Sequence, residues 1–125
     1  MMGVFRVRVR VASATDESNS RDVDMVVDTG ATYTVLPKAL WRELGIVPIR
    51  RVRARLANGR FVSRDLGDAG VAYGGRSTRT WVVLGEEEDV PLLGAYSLEG
   101  LGLEVDPINQ ELRTADVYLL AELTA

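Results

Sequence analysis

The sequence predicts a mostly β chain, closed or barrel-like, with two short helices. Three observations carry this expectation. Within Val4–Val11, apolar residues and arginines alternate strictly from Phe5 onward, the period of a half-buried strand. Turn signals at Asn58-Gly59, Gly74-Gly75 and Asp106–Gln110 separate short apolar runs. Only two stretches, behind Pro37 and behind Gly94, carry helical spacing. The result is about eight to ten short strands, which a closed sheet accommodates without exposed edges.

In order, Val4–Val11 places Phe5, Val7, Val9 and Val11 on one face and Arg6, Arg8 and Arg10 on the other. Residues 12–20 are small and polar and read as a loop. Val23–Val27 is a second strand that ends at Asp28-Thr29-Gly30, and Tyr33–Leu36 is a short apolar strand. Pro37 opens a helix that runs to Leu44, with Gly45 just past its end and Leu40, Trp41 and Leu44 on one face. Val52–Leu56 and Phe61–Leu66 flank Ala57-Asn58-Gly59-Arg60, a hairpin because Asn and Gly both tolerate positive φ. Val71–Tyr73 and Thr80–Leu84 flank Gly74-Gly75, a second hairpin. Glu86–Asp89 is an exposed acidic loop. Val90–Leu93 reads as a buried strand stopped by Gly94, and Ala95, Leu98 and Leu101 then recur at helical spacing. Leu103–Val105, the turn at Asp106–Gln110 and the run from Leu112 form a further hairpin, and Val117–Leu120 a terminal strand. Trp41 and Trp81 are expected in the core. Val26-Val27-Asp28-Thr29-Gly30 and Leu92-Leu93-Gly94 echo one another as apolar strands that stop at a turn and lead to a helix, a weak internal repeat.

The 125 residues fit one domain, 1–125, and 46% hydrophobic with 26% charged residues suits an ordinary globular core. The chain has no Cys and no His. That excludes disulfides, thiol nucleophiles, His-dependent triads and zinc sites built on sulfur or imidazole. Acid–base chemistry falls to carboxylates, Tyr or the single lysine, Lys38. Residues 1–85 hold 14 Arg/Lys against 8 Asp/Glu, whereas residues 86–125 hold one Arg against 10 Asp/Glu, so net charges near +6 and −9 give the overall −3. Six arginines between Arg50 and Arg64 raise nucleic acid as a partner. The solvated sides of strands explain them more simply, and the pI near 5.0 points the same way. No segment approaches a membrane span, and the alternating N-terminus lacks the apolar run of a signal peptide, so a cytoplasmic location is expected.

Asp28-Thr29-Gly30-Ala31 follows an apolar strand where the chain must turn. A carboxylate in such a loop is held rigidly, and Gly30 permits close approach of another group. With its context, the motif resembles the retropepsin-like aspartic proteases, in particular small bacterial single-domain members. The matching stretches are Val26–Thr32, Val35-Leu36-Pro37, the hairpin Leu56–Phe61 and Leu92-Leu93-Gly94 with its helix, in the family's order and across about 23–115.

The resemblance implies a closed acid-protease fold and hydrolysis of a peptide or protein substrate without metal or cofactor. Asp28 would be catalytic, with Thr29, Gly30 and Ala31 completing its loop. Thr29 would brace that loop across a symmetric partner. Ala57, Asn58, Gly59 and Arg60 would form the tip of a flap over substrate, and Leu92, Leu93 and Gly94 would back the loop. Carboxylate catalysis needs one group to take a proton from water and another to give one to the carbonyl oxygen. Two close aspartates share a proton and divide those roles. One Asp-Thr-Gly per chain therefore implies a homodimer with its site on the twofold axis. Val4–Val11 and Val117–Leu120 are candidate interface strands, because unpaired strands seek partners. Two-lobed relatives resembling pepsin carry a hydroxyl residue where Ala31 stands, so an activity optimum between mildly acidic and neutral is expected. A pH–rate profile peaking below about pH 3 would contradict this.

Other features fit simpler roles. Asp22 and Asp24 share parity with Asp28, but exposed strand-face carboxylates need no metal to explain them. Asp106 before Pro107 reads as a turn former. The flap lacks a Tyr or Trp at its tip. That leaves as alternatives a catalytically inactive peptide-binding or dimerisation module of the same fold, and a β-rich nucleic-acid binder working through Arg50–Arg64.

Overall fold

A computed structural model describes residues 4–116 of the chain. Nine strands and two helices follow in the order β1 (Phe5–Ser13), β2 (Ser20–Val27), β3 (Thr34–Leu36), α1 (Lys38–Glu43), β4 (Arg50–Arg55), β5 (Phe61–Tyr73), β6 (Arg76–Leu84), β7 (Leu92–Leu93), α2 (Ala95–Leu101), β8 (Leu103–Asp106) and β9 (Glu111–Thr114). The expected Val117–Leu120 strand lies outside the described residues.

The main sheet runs β1-β2-β7-β3-β6-β5-β4, and β5 pairs back onto β1. Six strands thus form the expected barrel-like ring. The long strand β5 makes closure possible: Ala69–Ala72 pairs with β1, while Phe61–Leu66 extends beyond as one arm of a hairpin with β4. Alternation in β1 falls as the sequence predicts, with Val9 and Val11 buried and Arg6, Arg8 and Arg10 exposed. Asp24 and Asp22 lie opposite Arg8 and Arg10 in the β1–β2 register and pair with them at 3.1 Å each. The hydrogen bond and charge of Arg10 hold the Asp22 carboxyl below its usual range. Met25, Leu36 and Leu93 fill the interior, and Leu98 and Leu101 of α2 pack onto it. The two halves of the internal echo lie side by side, since β2 and β7 run parallel with Val26 opposite Leu92 and Val27 opposite Leu93.

Four expectations are corrected. Phe61–Leu66 and Val71–Tyr73 belong to one continuous strand. Gly67 breaks nothing: a Cβ there would lie 2.6 Å from Ile46 Cγ2, so the glycine admits a close approach by the segment after α1. Val90–Leu93 shortens to Leu92–Leu93, because Pro91 has no N–H for the ladder and offers only its carbonyl, to Val26 N at 3.0 Å. At Asn58-Gly59, only Gly59 takes a positive φ, +86°. Gly59 N donates to Leu56 O at 2.9 Å, closing a tight turn with the left-handed glycine after it. Trp81 is only half-buried, with the Arg50 guanidinium 5.0 Å from its ring centroid. Trp41 is also half-buried and donates from Nε1 to Gly85 O at 2.9 Å.

Elsewhere the local expectations hold. Pro37 sits at the N-cap of α1, one position ahead of the helix, and Gly45 follows it with φ +68°. Gly74 and Gly75 both adopt positive φ between β5 and β6. Asp106 organises the β8–β9 turn by accepting from Ile108 N at 3.0 Å, Asn109 N at 3.2 Å and Asn109 Nδ2 at 2.8 Å. The Asn109 bonds hold its carboxyl below the ordinary value of 3.8. A depressed folded pKa gives stability that is present above the unfolded pKa and lost as pH falls through the folded one. Asp106→Asn is therefore expected to melt below wild type at neutral pH. The gap should close as pH drops below about 4 in thermal unfolding, and a gap independent of pH would contradict this assignment. Among the described residues, no helix is long and apolar enough to cross a membrane.

Candidate functional site

The parallel pairing of β2 with β7 delivers Asp28 to the end of the ladder, where its own N–H donates to Leu93 O at 3.1 Å. The chain then turns tightly. Asp28 O accepts from Ala31 N at 3.2 Å, and Asp28 Oδ1 accepts from Gly30 N at 2.9 Å. That second bond fixes the carboxylate against its own backbone while leaving it exposed. Gly30 leaves room for the carboxylate, since a Cβ would sit 3.1 Å from Asp28 Oδ1 and press on it. Thr29 is exposed, and its side chain makes no hydrogen bond among the described residues.

The far side of the turn is tied to α2. Ala31 O and Thr32 O accept from Ala95 N at 2.8 Å and Tyr96 N at 2.9 Å, which satisfies two of the N–H groups a helix start leaves open. Gly94 is the point of closest approach: a Cβ there would lie 2.5 Å from the Tyr33 carbonyl carbon. Its N–H donates to Thr34 Oγ1 at 3.1 Å. Leu93 and Gly94 thus lie directly behind the Asp28 loop, and Leu92 pairs with both Val26 and Val35.

One group of residues escaped the sequence reading. Thr34, Ser97 and Thr80 are buried and share hydroxyl hydrogen bonds, Thr34–Ser97 at 2.6 Å and Ser97–Thr80 at 2.9 Å. They join β3, α2 and β6 beneath the loop. Strand parity was the available signal, because Thr34 precedes Leu36, and Thr80 precedes Val82 and Leu84, on inward positions. Ser97→Ala would leave the hydroxyls of Thr34 and Thr80 without their shared partner. It is expected to destabilise the fold by about 1–3 kcal/mol in denaturant unfolding. An unchanged midpoint would argue against this role.

The β4–β5 hairpin overhangs the loop. Between them lies a cavity of about 440 Å³, bordered by Gly30, Ala31 and Val35 on one side and by Val52, Val62 and Arg64 on the other. Asp28 lies just outside that lining, two residues before Gly30. The predicted tip residues Ala57, Asn58, Gly59 and Arg60 are exposed and also stand outside it, and Asn58 Oδ1 accepts from Arg60 N at 2.9 Å to hold the turn. Leu56 is the residue of the hairpin end that reaches the cavity.

The arginine cluster proves largely to be strand-face chemistry. Arg51 pairs with Asp65 at 3.3 Å, and Arg53 lies 3.8 Å from the Phe61 ring centroid. The acidic loop is exposed at Glu86–Glu88. Asp89 instead turns inward, half-buried, and its Oδ2 accepts from Glu86 N at 2.7 Å.

Residues 15–100 match the family described as "gag-polyprotein putative aspartyl protease". No curated protein sequence matches the chain. Among solved structures it is similar to the simian foamy virus (mac) protease in solution, at 18% identity and a TM-score of 0.54, covering 76% of this chain and 92% of that one. It is also similar to the EIAV protease complexed with the inhibitor HBY-793, at 20% identity and a TM-score of 0.53, covering 93% of each. At these identities the likeness concerns the fold.

Proposed function

Since this chain belongs to the gag-polyprotein aspartyl protease family, we propose that it is an aspartic endopeptidase whose active site forms at the twofold axis of a homodimer. One observation carries this reading. Asp28 is held by Leu93 O and Gly30 N in a turn whose next residues, Gly30 and Ala31, line the cavity under the β4–β5 hairpin. The carboxylate is rigid, exposed and placed at the edge of a space able to hold a peptide segment.

A single carboxylate cannot both activate water and protonate the carbonyl oxygen in one step. Asp28 of the partner subunit supplies the second. The charged member takes a proton from water, and the protonated member gives one to the scissile carbonyl oxygen. The tetrahedral diol then collapses: the aspartate that took water's proton passes it to the departing amine, and the other takes a proton back from a diol hydroxyl, which resets the pair. No covalent enzyme intermediate is involved. Leu92, Leu93 and Gly94 act from behind by fixing the loop, Thr29 braces it across the axis, and the hairpin ending at Ala57–Arg60 serves as the flap. The domain spans 1–125.

The test is hydrolysis of a denatured protein, followed across protein concentration alongside sedimentation. Specific activity should rise with concentration and level off as the dimer saturates. Failure to cleave at concentrations where the chain is dimeric would overturn the enzyme reading in favour of an inactive peptide-binding module.

A further inference from the structure

The hairpin over the cavity carries an arginine that the arrangement so far leaves without a task. In the β4–β5 register, Val52 faces Arg64 and Ala54 faces Val62, so these four share one side of the hairpin. All four are half-buried, and Val52, Val62 and Arg64 border the cavity. Arg51, Arg53 and Arg55 occupy the other, exposed side, where Arg51 meets Asp65, and Arg53 and Arg55 lie against Phe61. Arg53 and Arg55 also border the cavity, but by register their side chains belong to that outer side.

Arg64 is therefore the cation of the cavity-facing side. Its cross-strand neighbour is Val52, which can neutralise nothing. Its guanidinium donates to the adjacent Ser63 carbonyl at 3.1 Å and forms no ion pair among the described residues. Five arginines on exposed strand faces, Arg8, Arg10, Arg51, Arg79 and Arg113, meet carboxylates, and Arg53 and Arg55 lie over the Phe61 ring. The one carboxylate bordering the cavity, Asp89, is turned onto the Glu86 backbone N–H. Arg64, half-buried as a residue and bordered by Val52 and Val62, keeps most of its guanidinium donors free for a carboxylate, which its planar fork can meet with two hydrogen bonds.

We infer that Arg64 makes this cavity a subsite for an acidic side chain, so that the preferred substrates are peptides with Glu or Asp at one fixed position near the scissile bond. The guanidinium fork meets the substrate carboxylate, and the valines and Ala54 receive its methylenes. This rests on the protease reading and adds its substrate class. Arg64 is a specificity residue and takes no part in proton transfer.

Binding separates the two claims. Asp28→Asn protein, which holds substrate without cleaving it, is titrated by fluorescence anisotropy with paired short peptides that differ only by Glu or Gln at each position in turn. One position is expected to favour Glu by about tenfold or more. Arg64→Gln in the same background should abolish that preference, Arg64→Lys should keep part of it, and Arg64→Glu should shift it toward Lys-containing peptides. Binding with no Glu preference at any position, or a preference unchanged in Arg64→Gln, overturns this inference and leaves the protease reading standing. Arg64-dependent displacement of the peptide by a single-stranded oligonucleotide also overturns it, because the cation would then be reading phosphate. Failure of every peptide to bind, with cleavage by wild type also absent, overturns both claims.

Discussion

Asp28→Asn is expected to lower hydrolysis of a denatured protein substrate by about 10³-fold or more, while leaving the fold intact. The substitution is nearly isosteric. The amide oxygen can still accept from Gly30 N, and the backbone bonds from Asp28 N to Leu93 O and from Ala31 N to Asp28 O do not involve the side chain. What disappears is a group that can accept a proton from water or return one to the carbonyl oxygen. In the proposed homodimer both copies would change at once, so neither role would be filled. The check is a cleavage assay paired with a thermal melt. A melt within a few degrees of wild type with activity lost fits the assignment, and activity retained removes Asp28 from the chemistry.

Gly94→Ala is expected to have the largest effect on stability, about 3 kcal/mol. The added methyl would meet Tyr33 C at 2.5 Å, Tyr33 O at 2.6 Å and Thr34 N at 2.9 Å, all backbone atoms that no rotamer change can move aside. Relief requires α2 to back away from the loop after Asp28. That would loosen the bonds from Ala95 N and Tyr96 N to Ala31 O and Thr32 O, and the bond from Gly94 N to Thr34 Oγ1. Activity should therefore fall even where the variant remains folded. Denaturant unfolding reads the first effect and the cleavage rate under folding conditions the second. A variant as stable and as active as wild type would mean that the close packing behind the loop is dispensable. Gly45 makes a useful contrast. It has nothing within 4 Å of a Cβ, so Gly45→Ala is felt only through its φ of +68°, a cost nearer 1 kcal/mol.

Local chemistry was what the sequence made legible. Strict alternation in Val4–Val11 located β1 and its inward face, because period two has one structural meaning. Paired glycines located the β5–β6 turn, and Pro37 with Gly45 bracketed α1. The strand expected to end at Leu66 runs on through Gly67, which lies mid-strand where Ile46 takes the space of its missing side chain, and nothing nearby in sequence announces Ile46. The closure of β5 onto β1 joins Ala69–Ala72 to Arg10–Ser13, a contact across about half the described chain that no local pattern encodes. Around the proposed site, the turn at Asp28-Thr29-Gly30 and the stop at Gly94 were readable because a glycine closes an apolar strand at each. The Thr34–Ser97–Thr80 hydroxyls were not, since threonine and serine are ordinary on strands and short helices until their partners are known. Arg64 was submerged in a cluster of like residues. Only the β4–β5 register separates it from Arg51, Arg53 and Arg55.

One active site, as proposed, needs Asp28 from two copies of this chain. Wild-type protein should be mixed with Asp28→Asn protein at fixed total concentration, allowed to exchange subunits, and assayed for cleavage. Random pairing in a twofold dimer predicts activity that falls as the square of the wild-type fraction. Activity that falls in simple proportion to the wild-type fraction would mean that each chain works alone, and would contradict the shared site.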